Sequence, residues 1–155
     1  MKNFALILAL VLFSSVAIGQ KVNYSGEWKL NNSKSELGYD FSMAPASLSV
    51  KHAKKTLDLK TVNVWDGQEY ETESHFTLDG KETENVGIGE SVTKSTAEVV
   101  KATKAIKIIT NGNADGIGDW TSTQVMFMKD GQLVIEFEAA SDMGEIAETY
   151  VFDKQ

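Results

Sequence analysis

The chain has no cysteine, no arginine and one proline in 155 residues. Without Cys there is no disulfide scaffold, no thiol nucleophile, no Cys-based zinc site and no lipid-bearing cysteine. All 15 basic residues are lysine, set against 22 Asp and Glu for a net charge of −7. An acidic chain without Arg lacks the means for phosphate neutralisation and bidentate base contacts, which argues against nucleic acid as a partner. Hydrolase chemistry has no motif either, since Gly89-Glu90-Ser91-Val92-Thr93 lacks the closing Gly of a nucleophile elbow. No clustered acid, base or nucleophile is legible, so the expectation is a non-enzymatic protein with no cofactor.

Long apolar runs are also scarce, and the one that exists is at the start. Residues 1–20 read MKNFALILALVLFSSVAIGQ, with Lys2 followed by an apolar run from Phe4 to Phe13 and small residues at Ala17 and Gly19. This is the pattern of a secretory signal peptide, and its apolar run falls short of the about 20 residues needed to span a bilayer. Cleavage after Gly19 leaves residues 20–155 as a single domain with 14 Lys, 22 acids and a net charge of −8. A mature chain of this size supports one core. The expected location is periplasmic or extracellular, where a cysteine-free protein must hold together without disulfides.

After the signal the hydrophobic period is two. In residues 68–79 Tyr70, Thr72, Ser74, Phe76 and Leu78 share one face, opposite Glu69, Glu71, Glu73, His75 and Thr77. Residues 133–139 alternate in the same way. Such alternation marks strands with one buried face. Asp66-Gly67, Asp79-Gly80 and Asp130-Gly131 each fall between strand-like runs, and Asp-Gly suits tight hairpin turns. Strands are expected near 24–31, 46–52, 55–65, 69–79, 81–86, 91–101, 105–110, 119–129, 132–140 and 145–153. A meander of this kind closes to remove its edges, so the predicted fold is all-β: an antiparallel up-and-down meander forming a barrel of about 8–10 strands. An outer-membrane barrel would need an apolar outer face, whereas 91–101 presents Lys94 and Glu98 on one side and Ser91, Thr93 and Ser95 on the other. The barrel is therefore read as not membrane-embedded.

At Tyr24-Ser25-Gly26-Glu27-Trp28-Lys29-Leu30-Asn31, with Lys34-Ser35 following, the chain resembles exported bacterial lipocalin-like proteins, which open on a G-x-W-K-L-N segment. Leu78-Asp79-Gly80-Lys81-Glu82 and Thr149-Tyr150-Val151-Phe152-Asp153-Lys154 are similar to later landmarks of that group. The resemblance spans about 24–154 and implies a lipocalin-like barrel without implying a ligand or reaction. It also implies that Gly26 lets the first strand bend and that Trp28 plugs the closed end. Lipocalins proper stack an Arg across that Trp; this chain has none, and Lys154 is the residue placed to cover the ring.

Candidate sites follow from the inward faces. Thr72 and Ser74 between Tyr70 and Phe76, and Ser95 with Ala97, are small for barrel interiors and leave room for a ligand. Trp65, Trp120, Met126 and Met128 supply apolar lining, although on 119–129 either Trp120, Met126 and Met128 or Val125 and Phe127 can face inward. Trp65, Tyr70, Thr72, Ser74, Phe76, Trp120, Met126 and Met128 are thus the candidate cavity residues for a small apolar or amphipathic molecule. The bland alternative is that they pack the core. A second functional reading makes loops 38–45 and 111–119 the contact surface for a protein partner. Asn111, Asn113, Asp115 and Asp119 mimic a calcium loop, but Ser122 stands where a bidentate Glu is needed, and a Gly/Asn/Asp hairpin explains the same residues. His52 and His75 read as surface histidines, so no metal is expected.

Overall fold

A computed structural model describes residues 22–39 and 41–155. The expected signal peptide, residues 1–19, lies outside the described residues. Ten strands follow in order: β1 (Gly26–Leu30), β2 (Ser47–His52), β3 (Thr56–Trp65), β4 (Gln68–Thr77), β5 (Asp79–Val86), β6 (Val92–Val99), β7 (Ile106–Ala114), β8 (Gly118–Lys129), β9 (Gln132–Ser141) and β10 (Gly144–Lys154). They form one antiparallel sheet in the order β4-β3-β2-β1-β10-β9-β8-β7-β6-β5, an up-and-down meander rolled into a nearly closed barrel. The sole helical element among the described residues is a 3-10 turn at Ile88–Glu90.

Two of the three Asp-Gly pairs make the expected hairpins. Asp66 and Gly67 have φ of 50° and 76°, and Asp130 and Gly131 have 51° and 79°. Positive φ at both central residues is the tight-turn geometry whose twist matches the flanking strands. The third pair differs. Asp79-Gly80 lies inside β5, where the register with β6 slips between Asp79 and Glu82. It is a bulge, not a hairpin, and the chain turns at Leu78 between β4 and β5, which are the two edges of the sheet rather than a laddered pair.

That seam is bridged by a side chain. The buried Asn85 of β5 accepts the backbone N–H of His75 through Oδ1 (2.7 Å) and donates Nδ2–H to the His75 carbonyl (3.1 Å). An amide side chain carries the same donor and acceptor as a peptide group, so Asn85 supplies one peptide's worth of pairing where the ladder stops. Asn85→Asp keeps the acceptor, loses the donor and aims a carboxylate at the His75 carbonyl. A loss of about 1–3 kcal/mol is expected from urea unfolding. An unchanged midpoint would remove the seam role.

Each barrel end is defined by alternate connections. The β2–β3, β4–β5, β6–β7 and β8–β9 connections lie at one end with Val22–Ser25 and Gln155. The β1–β2, β3–β4, β5–β6, β7–β8 and β9–β10 connections lie at the other. The first is the closed end, filled with Trp28, Leu57, Ile106, Leu133 and Phe152, all fully buried, and the second is called the wide end. Further up, the paired inward residues are hydroxylic. Thr61 hydrogen-bonds Thr72 across β3 and β4, and Ser95 bonds Thr110 across β6 and β7 (2.9 Å).

Candidate functional site

Gly26 and Trp28 lie at the closed end. Trp28 is 1 % exposed, and its Nε1–H donates to the Tyr24 carbonyl (3.0 Å). Lys154, its partner in the β1–β10 register, holds Nζ 5.6 Å from the ring centroid, within cation–π range. The Lys154 stem crosses Gly26: a Cβ on Gly26 would meet Lys154 Cε at 3.0 Å, and its φ of 151° is one that L side chains rarely adopt. Lysine stem and ammonium thus cover the tryptophan in a chain without arginine.

The eight cavity candidates divide by height. Met126 and Phe76, 0 % and 5 % exposed, are packed in the core. Ladder pairing aligns Trp120, Ser122, Gln124, Met126 and Met128 of β8 with Ser141, Ala139, Phe137, Ile135 and Leu133 of β9, which settles the inward face of β8. Thr72 and Ser74 are half-buried, Thr72 within the hydroxyl pairing. Trp65 and Tyr70 are half-buried at the far end of β3 and β4, their rings 5.4 Å apart. Trp120 lies against Gly112, where a Cβ would come within 2.5 Å of the indole. Two recesses on the described surface stand out. One, of 320 Å³, is lined by Glu27, Lys29, Ser47, Val62 and Glu69 among others. The other, of 150 Å³, lies between Gly80, Thr96, Glu98, Lys107 and Ile109. None of the eight candidates lines either one.

The wide end is organised by a residue absent from the sequence reading. Glu148 of β10 faces inward and is 5 % exposed. It accepts the N–H of Gly38 (2.7 Å), the N–H of Met43 (3.0 Å) and the hydroxyl of Tyr150 (2.7 Å). Burial pushes its pKa up, but the donors from Gly38, Tyr150, Ser42 and Met43 outweigh it and hold the carboxyl below its usual range. Burial, then the Glu148 carboxylate, push Tyr150 far above its usual value. The 31–46 connection is thereby tied across the barrel opening, with Leu37 and Ala44 packed on the core. Its tip does the opposite: Tyr39, Phe41 and Met43 are exposed. A signal was available, because Ile146, Glu148, Tyr150 and Phe152 share one phase of an alternating strand, and an acid on an apolar face requires partners.

The chain matches no family model and no curated protein.

Two other motifs resolve into hairpin and surface chemistry. Asn113 Nδ2–H donates to Asp119 (2.8 Å), and Thr121 donates to Asn111 (2.7 Å), across the β7–β8 ladder, so Asn111, Asn113 and Asp119 are engaged within the hairpin. His52 lies beside Tyr24, ring centroids 5.3 Å apart, whereas His75 pairs with Asp58 (2.5 Å) on the outer wall. Among the described residues no three His, Asp or Glu side chains are grouped to hold a metal, and no helix is long and apolar enough to cross a membrane.

Exposed apolar side chains and charge are sorted by end. Tyr39, Phe41, Met43, Val64, Val86, Val92, Ile117 and Met143 are exposed in or beside the wide-end connections, and Val99 is the exception at the closed end. The wide-end connections after residue 36 carry Asp66, Glu90, Asp115 and Asp142, with Glu69, Asp119 and Glu145 flanking them, and contain no lysine.

Proposed function

We propose that the protein is an exported, non-enzymatic, lipocalin-like binding protein whose wide end takes up a small amphipathic molecule bearing positive charge. The observation that carries this reading is the sorting of exposed apolar side chains to the acidic end, whose connections after residue 36 carry no lysine. An apolar rim offers burial at about 25 cal/mol per Å², and the surrounding carboxylates favour a cation over an anion. Half-buried Trp65, Tyr70 and Trp120 furnish aromatic surface at the same end, suited to contact with a cationic group. The ligand sits at the mouth rather than deep in the barrel, since Phe76 and Met126 are committed to the core. Glu148 does not act as a base in this reading, its oxygens being engaged by donors. The signal-peptide pattern is the support for export.

A protein partner is the second reading, favoured by the outward exposure of Tyr39, Phe41 and Met143. Native mass spectrometry of protein purified from its own envelope separates the two. The expected result is a chain beginning at Gln20 that carries a small-molecule adduct, with the adduct lost from a Tyr39→Ser/Phe41→Ser/Met143→Ser variant. A stoichiometric protein partner with no adduct would replace the first reading by the second.

A further inference from the structure

The closed end is the electrical opposite of the mouth. Lys51, Lys54, Lys55, Lys101, Lys104 and Lys129 stand exposed in or beside its connections, against the acids Asp58, Asp79, Glu98, Asp130 and Asp153 in or near the same strand ends. None of these six lysines forms an ion pair among the described residues; Asp79 pairs with Lys81 instead, and on the wall Lys60 pairs with Glu71 and Lys94 with Glu82 and Glu84. The platform is held by backbone: Ala53 N–H bonds Thr56 O (2.9 Å), Lys104 N–H bonds Val100 O (2.8 Å), and the Tyr24 hydroxyl donates to Lys104 O (2.8 Å). In a chain of net charge −7 this makes a barrel polarised along its axis. The chain enters at the same end. Val22 is the first described residue, and residues 1–21 before it carry Lys2, Lys21 and no acid.

We infer that the closed end docks on an anionic phospholipid surface, holding the mouth away from the membrane. A headgroup layer is an extended sheet of negative charge, and clusters of four to eight lysines near it bind without specific geometry. Lysine, a flexible point charge, suits that target; the absence of Arg disfavours nucleic acid, where planar bidentate contacts add specificity. The acidic mouth is repelled by the same surface, so the field selects one orientation. The inference stands whatever the mouth binds.

Residues 22–155 contain every strand and the whole core among the described residues, so they are tested without the apolar N-terminal segment. Co-sedimentation uses vesicles of phosphatidylcholine alone or with about one-third phosphatidylglycerol. Binding to the anionic vesicles is expected at low salt and lost near 1 M salt, where the Debye length is about 3 Å. The variant Lys54→Gln/Lys55→Gln/Lys101→Gln/Lys104→Gln should weaken binding at least tenfold with an unchanged circular dichroism spectrum. The matched variant Lys29→Gln/Lys34→Gln/Lys60→Gln/Lys94→Gln removes as much charge from the wall and should weaken it less than threefold. Equal loss in both variants, no preference for anionic vesicles, or binding to RNA in place of vesicles would overturn the assignment.

Discussion

Trp28→Ala is expected to cost about 3–5 kcal/mol, the range for truncating a fully buried large aromatic. Typical domains have about 5–15 kcal/mol of total stability, so this one change brings the barrel close to unfolding. Three losses combine. The indole fills the closed end in one buried cluster with Leu48, Val50 and Phe152. Its N–H leaves the Tyr24 carbonyl unpaired. The Lys154 ammonium loses the ring face beneath it. With no cysteine in the chain, no crosslink limits the damage. Thermal unfolding of residues 22–155 should show a midpoint lower by about 10–20 °C. Conservative variants separate the parts. Trp28→Phe keeps most of the volume and loses the hydrogen bond, about 1–3 kcal/mol. Lys154→Met keeps the stem over Gly26 and removes the cation, about 0.5–1 kcal/mol. If Trp28→Ala melts within a few degrees of the parent, the plug is not what closes this end.

The strands were readable because each buries one face, and a half-buried strand writes its period into the chain. All ten appear in the structure near their expected positions, β7 extending further, to Ala114, because Asn111 and Asn113 remain in the ladder with Thr121 and Asp119. Asp79-Gly80 shows where local reading stops. Gly80 has a φ of 77°, as a hairpin glycine would, but a bulge needs positive φ too, and only the partner strand tells them apart. Space inside the barrel was illegible for a related reason. Thr72 and Ser95 look like gaps when each strand is read alone; registered against Thr61 and Thr110 they are hydrogen-bonded pairs. The sorting of charge was equally hidden. Lys54, Lys101 and Lys129 are far apart in sequence and share an end only because the meander returns there every second connection.

Replacing Glu148 is expected to be the second most damaging change, and its effect should depend on pH. Glu148→Ala leaves the Gly38 and Met43 amides and the Tyr150 hydroxyl without their acceptor. Hydrogen bonds to a charged group contribute about 1.5–3 kcal/mol each, and the exposed parts of the loop regain water, so the net loss is about 2–4 kcal/mol at neutral pH. The loss should begin locally. Hydrogen exchange at Gly38 and Met43 should accelerate well beyond the global change, since the carboxylate ties the 37–44 segment over the barrel. The pH dependence follows from the lowered pKa of the folded state. Unfolded, the carboxyl titrates near its usual value of 4.5; folded, it stays ionised to lower pH. Its stabilisation is therefore complete above the unfolded value and disappears as pH falls through the folded one. Glu148→Gln should thus lie below the parent at neutral pH and converge on it in acid. Both curves should still fall in acid, because Asp79 and Asp153 are also held below their usual range by their hydrogen-bond donors and remain in both proteins. Parallel stability curves for parent and Glu148→Gln across the acid range, or unchanged exchange at Gly38 and Met43, would show that this carboxylate does not hold the loop.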